Sequence, residues 1–164
     1  MGVRAKAALW VVAGLVAAAT ASAVGTPASA VDVCDINFGL YIEGTEGADY
    51  LVGTSGPDFI RAYGGDDVVD GGGGNDTIIG GPGNDLLIGG PCHDILKGNE
   101  GHDQIAGLDG NDDLHGNLGD DVMLGGPGND TIDGGQGSNE CSNDPSTDAY
   151  YIIYMINWLA TDPC

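Results

Sequence analysis

The chain has 164 residues and carries 25 Asp or Glu against 4 Lys or Arg, a formal net charge of −21. With so few cations nothing could neutralise phosphates, which argues against nucleic acid or an anionic membrane surface as partner. Glycine supplies 31 residues and aromatics only 6%, so a conventional layered core is hard to fill. Such a chain stays disordered unless its acidic residues are patterned and a cation binds them.

The first 30 residues read as a cleaved secretory signal. Arg4 and Lys6 precede an almost unbroken apolar run from Ala7 to Val24, and Ala28-Ser29-Ala30 supplies a small-x-small cleavage pattern. Ala21-Ser22-Ala23 offers a second cleavage point. The competing reading, a single membrane anchor, is opposed by an Ala-rich run slightly short of the roughly 20 residues a span needs. Export places the protein outside the cell, secreted or surface-associated, in calcium-rich surroundings where Cys34, Cys92, Cys141 and Cys164 can form two disulfides. Three connectivities are open. A Cys141–Cys164 bond would pin the tail to the last repeat and leave Cys34–Cys92. Residues 31–43 are expected to cap the N-terminal end, with Phe38, Leu40 and Ile42 alternating as a strand.

From Gly44 to Ser142 the chain divides into eleven blocks of nine without an insertion: GTEGADYLV, GTSGPDFIR, AYGGDDVVD, GGGGNDTII, GGPGNDLLI, GGPCHDILK, GNEGHDQIA, GLDGNDDLH, GNLGDDVML, GGPGNDTID and GGQGSNECS. Position one is Gly except at Ala62, position four is Gly except at Cys92, and position six is Asp except at Asn139. Position eight is aliphatic or Met except at Cys141. Gly at one and four permits positive φ and tight turns. Positions seven to nine form a three-residue strand whose middle residue faces inward. The inward set is Leu51, Ile60, Val69, Ile78, Leu87, Leu96, Ile105, Leu114, Met123 and Ile132.

These blocks match GGxGxDxUx and the chain resembles the RTX, or hemolysin-type, calcium-binding nonapeptide-repeat proteins. The resemblance implies an all-β fold, a right-handed parallel β-roll in which two repeats make one coil. It also implies Ca²⁺ between successive turns on each edge, held by the position-six Asp and by main-chain carbonyls of the first four positions. The expected ligands are therefore Asp49, Asp67, Asp85, Asp103 and Asp121 in one column and Asp58, Asp76, Asp94, Asp112 and Asp130 in the other, with carbonyls of Gly72, Gly74, Gly81, Gly83, Gly90, Gly126 and Gly128. Coils stack about 4.8 Å apart, so neighbouring carboxylates repel by roughly 1 kcal/mol even in bulk water. A hard, geometrically tolerant cation relieves this, which favours Ca²⁺ over Mg²⁺. The gaps between turns set an upper bound of about nine ions. Because the core is thin, folding is expected to be coupled to Ca²⁺.

The outward residues of the odd-numbered repeats, among them Tyr50, Val52, Leu86, Ile88, Val122 and Leu124, form an apolar face, so coverage, self-association or a protein partner is expected there. Ser146-Thr147-Asp148 could start a short capping helix over Ala149 to Leu159 within a hydrophobic C-terminal cap, residues 143–164. His93 and His102 fill position five and His115 position nine, and no HExxH or GxSxG accompanies them. The sequence therefore reads as a non-catalytic calcium-binding module, with no catalytic residue assigned. Surface adhesion through the apolar face is the alternative, and a secreted hydrolase or cytolysin a more distant one.

Overall fold

The computed structural model describes Cys34 and residues 38–143. Twelve short strands follow one another, one at the end of each nonapeptide and one before the first: β1 Tyr41–Thr45, β2 Tyr50–Thr54, β3 Phe59–Tyr63, β4 Val68–Gly72, β5 Thr77–Pro82, β6 Leu86–Ile88, β7 Ile95–Glu100, β8 Gln104–Ala106, β9 Asp113–Leu118, β10 Val122–Leu124, β11 Thr131–Asp133 and β12 Glu140–Ser142. They fall into two six-stranded parallel sheets, β1-β3-β5-β7-β9-β11 and β2-β4-β6-β8-β10-β12. Each strand pairs with the strand two further on. The register is constant, as in Ile60 with Ile78 and Ile78 with Leu96, eighteen residues apart. The protein is thus a parallel β-solenoid of two nonapeptides per coil.

Alternation along the strands decides the core. Leu51, Val69, Leu87, Ile105 and Met123 from one sheet and Ile60, Ile78, Leu96 and Leu114 from the other are buried in a single core, with Ile42, Ile132 and Cys141 packed against it. All ten expected inward positions are therefore in or against the core. Ala62, the one position-one residue that is not glycine, joins them.

Three expectations change. Strands β1 to β5, β7 and β9 run for five or six residues rather than three, because pairing continues past position nine, as in Gly81 with Asn99. The N-terminal strand starts at Tyr41 rather than Phe38. Phe38 and Leu40 are exposed, whereas Ile42 pairs with Ile60 as if it were the eighth residue of one further, degenerate repeat. The apolar outer face is also smaller than its sequence suggests. Ala106 and Leu124, outward by alternation, are buried and pack with Leu108, leaving Tyr50 and Val52 as the large hydrophobics exposed on that sheet. The expected C-terminal helix lies outside the described residues. Among the described residues no helix is long and apolar enough to cross a membrane.

Cys34 is bonded to Cys92, with Cα atoms 5.7 Å apart, the one of the three open connectivities that a Cys141–Cys164 bond would leave. Cys141 is also disulfide-bonded; the expected partner, Cys164, is outside the described residues. Cys92 stands where other repeats have glycine and shares the left-handed backbone of Gly74, Gly83 and Gly101 there, φ 99°.

Candidate metal centre

The turn before each strand brings an Asp to the same height on successive coils. In both columns the main-chain N–H of one Asp donates to Oδ1 of the Asp eighteen residues later. On one edge Asp49 donates to Asp67 at 2.8 Å, and Asp67 to Asp85, Asp85 to Asp103 and Asp103 to Asp121 at 2.9 Å each. On the other, Asp58 donates to Asp76 at 2.7 Å, Asp76 to Asp94 at 2.8 Å, and Asp94 to Asp112 and Asp112 to Asp130 at 2.9 Å. The ends deviate in sequence and keep the bond. Leu40, in the place of an Asp, donates to Asp58 Oδ1, and Asn139 Oδ1 accepts from Asp121 at 2.9 Å.

The second carboxylate oxygen behaves differently. Oδ2 of Asp67, Asp76, Asp85, Asp94, Asp103, Asp112, Asp121 and Asp130 is buried and meets no hydrogen-bond donor. A buried carboxylate oxygen left unsatisfied carries a large desolvation penalty. Burial accordingly pushes the carboxyls of Asp76 and Asp85 up to about 7, that of Asp94 up to about 8 and those of Asp103 and Asp112 up to about 6. Asp67 and Asp121 are raised for the same reason. The main-chain N–H on Oδ1 works against this by favouring the charged form.

Position-one glycines face these oxygens. A Cβ added at Gly89 would lie 2.5 Å from Asp94 Oδ2 and 2.9 Å from the carbonyl oxygen of Gly107 one coil on; at Gly107 the corresponding atoms are Asp112 Oδ2 at 2.4 Å and Gly125 O at 2.8 Å. The absent side chain therefore opens a cradle lined by carboxylate and carbonyl oxygens of adjacent coils. Among the described residues no three His, Cys, Asp or Glu side chains converge on one point. The donor set is mostly main-chain oxygen with one or two carboxylates, which suits Ca²⁺ and not a transition metal.

Of the expected carbonyl donors, Gly72, Gly74, Gly81, Gly83, Gly90 and Gly126 all adopt positive φ, from 94° to 148°. Gly128 does not share that conformation; there a Cβ would lie 1.5 Å from Gly110 O. Asp49 and Asp58 also stand apart from the other eight Asp, because their Oδ2 atoms have donors. Thr45 donates to Asp49 Oδ2 from its main-chain N–H at 2.6 Å and from Oγ1 at 2.9 Å. Thr54 does the same for Asp58, at 2.5 and 3.0 Å.

Sequence reading missed a second ladder, at position five, which runs the opposite way. Here the side chain accepts from the later coil: Asn75 Oδ1 from His93 N–H at 3.1 Å, His93 Nδ1 from Asn111 at 2.8 Å and Asn111 Oδ1 from Asn129 at 2.8 Å. On the other edge Asp66, Asn84, His102 and Asp120 accept in turn from Asn84, His102, Asp120 and Ser138. The only signal was that position five holds a polar residue able to accept from Asp66 onward. His93 and His102 are thus rungs, each using Nδ1 as acceptor, and His115 pairs with Asp113 across 3.1 Å.

No curated protein and no solved structure matches the chain. The family model for the RTX calcium-binding nonapeptide repeat (4 copies) matches residues 43–78, 70–105 and 106–140, nearly the whole solenoid. Its extent and the stacked Asp turns agree, and the chain belongs to the RTX calcium-binding nonapeptide-repeat family.

Proposed function

We propose that this chain is a secreted Ca²⁺-binding β-roll whose folding is coupled to cation uptake and which acts as a non-catalytic binding or structural module. The observation that carries the reading is the set of eight buried, donorless Asp Oδ2 atoms, stacked in two columns beside main-chain carbonyls. Asp67, Asp76, Asp85, Asp94, Asp103, Asp112, Asp121 and Asp130 would hold the ions, up to the bound of about nine set by the gaps between turns. Bound calcium supplies the positive charge that the two columns lack. Without it the thin core must offset the desolvation of several carboxylates by itself, so the metal-free chain is the unfolded partner of the equilibrium. Extracellular calcium modules bind at about 0.1–1 mM, which leaves the chain unfolded at cytosolic calcium and folded after export through the N-terminal signal. The histidines support a non-catalytic reading because His93 and His102 are occupied as ladder rungs.

The test is a calcium titration of the full chain followed by far-UV circular dichroism, with magnesium as control. A cooperative gain of β signal with calcium alone is expected. A spectrum indifferent to calcium would sink the reading.

A further inference from the structure

The first two turns are built on a different plan from the rest, and the difference bears on where the calcium ladder starts. From the third repeat onward position two is left-handed whatever its residue: Tyr63, Gly72, Gly81, Gly90, Asn99, Leu108, Asn117, Gly126 and Gly135 have φ between 77° and 133°. Position two of the first two repeats is Thr45 and Thr54, and neither is among the positive-φ residues. A β-branched side chain is the one least able to enter the left-handed region. Held out of it, each threonine turns its N–H and its hydroxyl onto Oδ2 of its own repeat's Asp. The hydroxyl oxygen accepts in return from the N–H of Gly47 or Gly56, at 3.2 and 3.1 Å. These position-four glycines are not left-handed, a conformation they share with Gly110 and Gly128, so the difference between the first two turns and the rest lies at position two. Position five holds Ala48 and Pro57, so the polar ladder is missing at the same two turns.

We propose that Thr45 and Thr54 close the first two turns in place of a cation, so that Asp49 and Asp58 are internal hydrogen-bond acceptors and the calcium columns begin at Asp67 and Asp76. The inference rests on the calcium reading above. Two N–H or O–H donors on one carboxylate oxygen occupy the lone pairs that a cation would take. The amino-terminal end of the solenoid is then a coil whose turns need no metal, against which the first metal-dependent turns can stack.

The experiment counts bound ions on the full chain by equilibrium dialysis against radioactive calcium at saturation, with circular dichroism confirming the fold of each variant. Wild type and the double variant Asp49→Asn/Asp58→Asn should bind the same number, and Asp67→Asn/Asp76→Asn at least one fewer. Equal losses in the two double variants would overturn the proposal and leave the calcium reading standing. A wild-type chain that binds no calcium would overturn both. Should Asp49→Asn/Asp58→Asn not fold, Thr45→Gly/Thr54→Gly decides. It removes both hydroxyl donors and lets the backbone take the left-handed turn of the later repeats, in which the position-two N–H leaves Oδ2, so the count should rise by one or two. An unchanged or lower count in a folded Thr→Gly chain would overturn the proposal.

Discussion

Oδ1 of Asp94 accepts the main-chain N–H of Asp76 at 2.8 Å, while Oδ2 of the same buried carboxylate meets no donor. One oxygen of the rung is therefore structural and the other is free to act as a ligand. An Asn keeps the first role and loses the second, as Asn139 already does at the end of its column. Asp94→Asn should raise the calcium concentration for half-folding about tenfold, the equivalent of ~1.4 kcal/mol. Circular dichroism against calcium reads the effect, and an unmoved calcium midpoint would exclude Asp94 from the ligand set.

The pH dependence of the metal-free chain follows from the same columns. Asp76, Asp85 and Asp94 are raised to about 7, 7 and 8 by burial, well above an unfolded aspartate near 3.9. Between those values the folded chain binds more protons than the unfolded one, so its stability rises as pH falls from about 8 to about 4. In EDTA, β signal should be stronger at pH 5 than at pH 8, with protons standing in for the cation. In calcium the trend reverses: the folding midpoint should move to higher calcium as pH falls, because proton and cation compete for the same oxygens. A metal-free spectrum that is weaker at pH 5 would contradict burial as the dominant influence on these groups.

Glycine is required where the chain stacks most closely. A Cβ at Gly119 would lie 1.5 Å from the carbonyl oxygen of Gly101 on the preceding coil, and φ there is 140°. At Gly73 the nearest atoms, Pro91 Cγ and Ser55 Cα, are at 3.6 and 3.7 Å, an ordinary contact. Gly119→Ala should lower stability in saturating calcium by about 2 kcal/mol or more, through strain and backbone collision. Gly73→Ala should stay within about 0.5 kcal/mol of wild type. Urea midpoints of the two variants make the comparison, and equal effects would mean the coils can separate without penalty.

The repeat frame carried most of this fold, because a nine-residue period with Asp at six and an aliphatic residue at eight states both the stacking and the inward face. Ile60, Ile78 and Leu96 could be assigned to one file from alternation alone. What periodicity could not carry was anything set by a partner eighteen residues away. The opposite directions of the two ladders depend on which side of each coil the Asp94 and His93 side chains meet. The sequence lists these residues as neighbours without that information. Thr45 and Thr54 were hidden for a related reason. Position two tolerates Tyr63, Asn99 and Leu108 as well as glycine, so periodicity does not distinguish a threonine there from ordinary variation. Only the unchanged hand of the backbone at those other residues shows that the β-branched pair is different. Burial of Ala106 and Leu124 was equally out of reach, since strand alternation places both on the outer surface.

His93 offers a test of the position-five ladder that is independent of metal ligation. Its Nδ1 accepts the Asn111 N–H at 2.8 Å, the role that Asn111 Oδ1 itself plays toward Asn129 at the same distance. An asparagine side chain is therefore an adequate rung, whereas alanine leaves the Asn111 N–H to solvent. His93→Asn should have the wild-type urea midpoint in saturating calcium, and His93→Ala should lose about 0.5–1 kcal/mol, the net worth of one exposed hydrogen bond. Equal losses in the two variants would show that the imidazole contributes something beyond its acceptor nitrogen, and would reopen the question of a chemical role for this histidine.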